Sequence, residues 1–213
     1  MLLTMKSTLR AQKWINRLRA AVVLSVALAA VCAGSLPHRF SREQTVSYPA
    51  PLLKRMLDGK EWLTENLNVN IKSSYCYADA EPNCRRYGRL YTWGSAQQAC
   101  RILSNAWRLP TDDEWRQLAK RYGGIYGDSA DDGKDAYKAL MIGGSSGFNA
   151  VLGGGRAPDG QYSRSEAHGF YWTASNSGAV NAVFYNFGHG GSALYRQSEG
   201  EKQRAFSVRC VRD

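Results

Sequence analysis

The chain has 213 residues, 44% of them hydrophobic and 22% charged, proportions that fit a globular protein and exclude a disordered one. It carries 28 Lys and Arg against 18 Asp and Glu, a net +10. Five of the positives lie in residues 1–19, so the rest of the chain holds a mild +5, scattered rather than striped between aromatics, which argues against nucleic acid as a partner.

The basic residues 1–19 precede an apolar run, AAVVLSVALAAV, of 12 residues from Ala20 to Val31. That length is short for a bilayer span and suits the apolar region of a secretion signal. Small residues around Val31-Cys32-Ala33 sit where a signal peptidase cuts, so residues 1–33 are predicted to be a signal peptide. Cys32, preceded by Ala29-Ala30 but also by the bulky Val31, is a candidate for lipidation. A lipid there would tether the protein to a membrane surface, the single membrane contact expected.

Residues 34–57 contain Pro37, Pro49 and Pro51 among polar residues and are expected to form a tether. The domain is expected to run over 58–213, beginning at DGKEWLTENLNV. Asp58-Gly59 is a turn signal there, and Trp62, Leu63 and Leu67 are candidate core residues.

Four cysteines remain beyond Cys32: Cys76, Cys84, Cys100 and Cys210. An even count in an exported chain implies disulfides, and four cysteines allow three pairings. Cys76 and Cys84 are close enough to close a small loop around YADAEPN, in which case Cys100 and Cys210 tie the middle of the fold to its end. No C-x-x-C pair exists, so zinc is not expected.

Leu90 and Tyr91 suit a short strand, and Thr92 then caps a helix with Trp93, Ala96, Ala99 and Cys100 on one face. In WRLPTDDEW the three acids Asp112-Asp113-Glu114 resemble a metal or catalytic cluster, but helix physics explains them. Thr111 and Glu114 have capping-box spacing, and Asp112 and Asp113 fall in the first turn, where the helix dipole favours anions. Trp115, Leu118, Ala119 and Tyr122 make one apolar face, and Gly123-Gly124 ends the helix.

A further short helix is expected around Ala136–Met141. Beyond it come aromatic or β-branched runs separated by Gly, Ser and Asn: GFNAVLGGGR, FYWTAS, AVFYNF, SALYRQ and AFSVRCV. AVFYNF-GHGG-SALYRQ reads as a hairpin. Helices first and antiparallel strands after them give an α+β pattern rather than alternating βαβ units.

Two local motifs invite chemistry. The loop GDSADDG offers Asp128, Asp131 and Asp132, but their spacing is not that of a calcium loop, so calcium is a minor expectation and a solvated loop the default. Gly143 to Gly147 satisfies G-x-S-x-G without the preceding strand and following helix of a nucleophile elbow. Of the three histidines, His38 lies in the tether, and His168 and His189 have no acid partner indicated.

Six blocks in order, DGKEWLTENLNV, YGRLYTW, WRLPTDDEW, SGFNAVLGGGR, YWTAS and SVRCVRD, resemble the Fibrobacter succinogenes major paralogous domain. Such domains occur in exported proteins and lipoproteins of Gram-negative bacteria, and most have no assigned activity. The family in turn looks related to the C-type lectin-like fold, through the similarity of RLPTDDEW to a block of the formylglycine-generating sulfatase modifiers. The resemblance implies two helices packed on short antiparallel strands, and it supports a Cys100–Cys210 disulfide. Before Trp107 the chain departs from the family, lacking the Pro and Gly that often follow a cysteine there. Glu81-Pro82-Asn83 spells the calcium and sugar triplet of C-type lectins but lies too early in the chain, inside the small cysteine loop.

With the cysteines committed to disulfides and no multi-histidine set, neither catalysis nor a cofactor is expected. What remains is a surface. Tyr162, Tyr171, Tyr185, Phe187, His189, Tyr195, Arg156 and Arg196 lie on late strands and turns, and alternation puts about half of them outside. Arg156, Tyr162, Tyr185, His189, Tyr195 and Arg196 are the candidate binding surface, with a glycan or a surface protein as partner. The sequence thus points to an exported recognition module of the cell envelope, periplasmic or on the outer membrane. The alternatives are a self-assembling structural protein and an enzyme related to the sulfatase modifiers.

Overall fold

The computed structural model describes residues 52–213, all within the compact unit Ser47–Asp213. The predicted signal peptide, Cys32, His38 and most of the tether lie outside the described residues. Strand β1 (Leu53–Arg55) falls inside the segment read as a tether, so ordered structure begins before Asp58. All three of its residues are exposed, which is why no apolar pattern marks it.

β1 pairs with β2 (Glu61–Leu63) across a turn in which Asp58 accepts from Lys60 N at 3.1 Å and from Trp62 Nε1 at 2.9 Å. On its other side β2 meets β11 (Val211–Arg212), completing a three-stranded sheet with Trp62 opposite Val211.

The larger sheet is built from β3 (Ser74–Tyr75), β4 (Leu90–Thr92), β5 (Gly153–Arg156), β6 (Tyr162–Ser165), β7 (His168–Asn176), β8 (Asn181–Gly188), β9 (Ala193–Glu201) and β10 (Ala205–Phe206). Its order is β3-β4-β10-β5-β7-β8-β9, with β6 paired to β5 off that path. The β8–β9 hairpin forms as the sequence predicts, with Gly188 opposite Ala193. The sheet is not wholly antiparallel: β5 runs parallel to β7 at Gly154 and Gly169. A Cβ on Gly154, at φ +65°, would lie 2.5 Å from the Ser163 carbonyl oxygen, so the crowded centre of the sheet requires glycine there.

Four helices accompany the strands, two more than the resemblance implies: α1 (Glu81–Tyr87), which the sequence did not announce, α2 (Trp93–Leu103), α3 (Asp112–Arg121) and α4 (Lys134–Leu140), the short helix expected around Ala136–Met141. α1 carries no capping side chain and buries just Cys84 and Tyr87, so its seven residues show no stripe to read. It absorbs Glu81-Pro82-Asn83 as its first turn, and Asn83 Nδ2 donates to the Tyr77 carbonyl at 2.8 Å. α3 has the predicted capping box: Glu114 N donates to Thr111 Oγ1 at 3.2 Å and Thr111 N to Glu114 Oε2 at 2.9 Å.

Two apolar clusters form the core. In the first, Trp115 of α3 packs on Trp62, Phe148, Tyr171, Tyr185 and Phe187, stacking on Tyr185 at 5.1 Å. In the second, Trp172, Phe184 and Phe206 pack with Tyr91, Trp107 and the buried face of α2. Alternation along β8 accounts for the division: Tyr185 and Phe187 belong to one cluster and Phe184 to the other. Disulfides join Cys76 to Cys84 and Cys100 to Cys210, the latter inside the second cluster.

Candidate functional site

The second cluster ends at a cleft of about 520 Å³ on the face of β7–β9 opposite α3. Phe170, Phe184 and Phe206 form its apolar floor; their rings lie 5.0 to 5.9 Å apart. Gly155 brings backbone to that floor, and a Cβ there would lie 2.9 Å from the Phe206 ring. Polar groups rise around it from five strands and a turn: Arg156, Arg164, His168, Asn186, Gln197 and Arg204. Three arginines thus line the cleft against one acid, Glu199.

Each group is held differently. The Arg156 guanidinium lies over the Tyr75 ring at 4.1 Å and 5.6 Å from that of Tyr162, with its Nε buried and without a hydrogen-bond partner. Tyr162 is fixed in turn by donating to Asp79 Oδ1 at 2.5 Å. Burial first, and then that carboxylate, push the Tyr162 hydroxyl up to about 12, so it stays protonated at physiological pH. His168 stacks on Phe170 at 5.4 Å and shares a 3.0 Å hydrogen bond between its Nδ1 and Asn186 Oδ1. An amide, not a carboxylate, orients this imidazole, so no acid–histidine pair of a hydrolase forms here. Glu199 turns to its neighbour, accepting from Ser198 N and Oγ at 3.1 and 3.2 Å.

The structure divides the six predicted surface residues. Arg156 lines the cleft, and Tyr162 lies behind it, its ring 5.6 Å from the guanidinium, without lining the cleft itself. Tyr185 is no surface residue: it is fully buried, with its hydroxyl donating to Asp112 Oδ1 at 3.0 Å. Burial and the Asp112 carboxylate both raise its pKa. Arg196 is engaged by the same acid, at 2.8 and 2.9 Å from its Nε. Tyr195, on the cleft's side of β9, packs its ring 4.9 Å from Tyr126, and His189 lies exposed in the β8–β9 turn. Tyr171 and Phe187 are core. Sequence reasoning did not place Arg164, His168, Asn186, Gln197 or Arg204 in a site: His168 and Asn186 are polar positions in the apolar runs of β7 and β8, but Arg164, Gln197 and Arg204 sit in polar stretches that carry no such signal.

The other motifs are structural. Asp128 pairs with Arg116 at 2.5 Å, and Asp131 accepts from Ser129 Oγ, Gly133 N and Asp135 N ahead of α4. Ser146 Oγ donates to the Ala139 carbonyl at 2.6 Å and accepts from Phe148 N, tying down the Gly143–Gly147 loop. Among the described residues, the one group of three metal-ligand side chains is Cys76, Glu81 and Cys84, and its two sulfurs are already bonded to each other.

This α+β scaffold is stapled by two disulfides and opens an arginine-rich cleft on one face of its large sheet. Residues 52–212 match the model of the Fibrobacter succinogenes major domain, and the chain belongs to that family. No curated protein and no solved structure matches it.

Proposed function

We propose that this protein is an exported, non-catalytic recognition module of the cell envelope that binds a glycan in the cleft above Phe170, Phe184 and Phe206. The observation that carries the reading is the cleft's chemistry. Aromatic rings offer apolar faces to sugar C–H groups, and the surrounding Arg, His, Asn and Gln supply donors and acceptors for hydroxyls. A C-type lectin-like fold suits this reading, with a helix cysteine bonded to one near the last strand. Export is supported by the two disulfides, which persist in oxidising compartments, and by the sequence of residues 1–33. No described helix is long and apolar enough to cross a membrane, which leaves a lipid on Cys32 as the proposed anchor.

Binding of the mature domain to a glycan array, repeated with Phe170→Ala, tests the proposal. Array-wide silence, or signals unchanged in the variant, overturns it. Mass spectrometry of the native, unreduced protein tests the cut site and the lipid.

A second reading, a self-assembling envelope protein, draws on the small sheet. β1 is its outer strand, with Leu52 and Leu57 60% and 64% exposed beside it. Sedimentation that shifts with protein concentration, in the absence of ligand, supports that alternative.

A further inference from the structure

We infer that the glycan recognised in this cleft is acidic, carrying a carboxylate or a sulfate that Arg156 and Arg204 receive. The inference rests on the glycan reading above and narrows it to a ligand class.

Elsewhere in the domain, arginines that approach an acid are used up by it. Arg108 is taken by Glu114, Arg196 by Asp112, Arg212 by Glu61, and Arg116 by Asp128. The cleft is different. Arg156 and Arg164 form no ion pair among the described residues, and Arg204 has just a 3.8 Å contact to Glu201, both half-exposed and therefore weak. The one acid lining the cleft, Glu199, is turned to Ser198. Positive charge thus outnumbers negative here, three arginines lining the cleft against Glu199.

Arg156 is also pre-positioned. Rings rather than carboxylates hold its guanidinium, so its plane is fixed and no carboxylate of the chain occupies its donors. Its Nε is enclosed without a partner and out of a ligand's reach, so a ligand meets the guanidinium through its Nη groups. A bidentate acceptor, carboxylate or sulfate, is the group that a planar guanidinium fork receives best. Three features therefore converge on one anionic subsite: a fixed fork, a second arginine from the β9–β10 turn, and an aromatic floor for the sugar ring.

The test compares ligands that differ in charge alone. Oligogalacturonate is titrated against its methyl ester, and sulfated dextran oligomers against plain dextran, by calorimetry with the mature domain. At least one acidic form is expected to bind about tenfold or more tightly than its neutral match, and which one does so separates carboxylate from sulfate. Arg204→Gln, at an exposed position, and Arg156→Lys, which keeps the charge but loses the fork, are each expected to erase most of that difference. Thermal melts show whether either variant has unfolded. Lys120→Gln on α3, across the sheet, serves as the control and is expected to change nothing.

Equal binding of charged and neutral partners overturns the acidic subsite while leaving glycan recognition standing. Loss with Lys120→Gln but not with the cleft variants overturns it too, because the anion is then held by general surface charge. Failure of every glycan, charged or neutral, sinks the glycan reading itself.

Discussion

Arg108 donates to both carboxylate oxygens of Glu114, at 2.6 and 2.7 Å, just ahead of the helix that Glu114 caps. Burial would raise the Glu114 carboxyl, but the Arg108 hydrogen bonds, the Thr111 N–H and Lys60 outweigh it and bring the group down to about 2. A carboxyl depressed on folding stabilises the fold above its ordinary value of 4.5, and the contribution is lost as pH falls through about 2. It amounts to at most about 3 kcal/mol. Glu114→Gln is therefore expected to melt lower than the parent at neutral pH, with the gap closing towards pH 2. A gap that is constant across that range in calorimetric scans counts against the linkage.

Arg209 is fully buried without an acid beside it. It donates to Asn66 Oδ1 at 2.7 Å and to the carbonyls of Leu63, Phe148 and Asn149 at 2.9, 2.5 and 2.7 Å. Its guanidinium also faces the Phe148 ring at 4.4 Å. Burial lowers its pKa, yet the charge is spread over four acceptors from two chain segments. Arg209→Met is expected to cost about 3 kcal/mol or more in urea unfolding, because buried carbonyls lose their donors. Arg209→Lys is expected to recover little of this, since one ammonium cannot span all four sites.

The two disulfides differ in what they constrain. Cys100–Cys210 closes a loop of 110 residues and Cys76–Cys84 one of 8. Chain entropy gives about 5 kcal/mol for the first and about 2.5 for the second. Replacing Cys100 and Cys210 together with alanine is expected to lower the urea midpoint more than replacing Cys76 and Cys84. The opposite order would show that α1 depends on its staple more than the core does.

The serines of the G-x-S-x-G loop separate a turn from a nucleophile. Ser145 is exposed, whereas Ser146 is buried and bonded to Ala139 and Phe148. Ser145→Ala is expected to leave stability unchanged and Ser146→Ala to cost about 1–2 kcal/mol. Ester hydrolysis by the parent that disappears with Ser145→Ala would contradict this assignment.

Much of this architecture was readable in advance. The capping box at Thr111, the stripe on α2 and the β8–β9 hairpin are local patterns, and local patterns survive in the sequence. β1 and α1 were not readable, because neither carries an apolar stripe: β1 is exposed throughout and α1 buries just Cys84 and Tyr87. The site was harder still. Tyr185 and Arg196 look like surface aromatics and charges until α3 supplies Asp112. The cleft itself assembles from β5 to β9 together with β10, which the topology returns to the side of β5 out of sequence order.

The small sheet sets a rule for how the molecule comes into being. β2 finds its second neighbour, and Cys100 its sulfur partner, about 150 and 110 residues later in the chain. A growing polypeptide halted before residue 210 therefore leaves Trp62 without its second flank and, within the described domain, presents three thiols, Cys76, Cys84 and Cys100. Only two of those three belong together. Maturation is thus a problem of timing: oxidation that outruns translation traps the wrong pair, and a thiol–disulfide isomerase is then needed to release it.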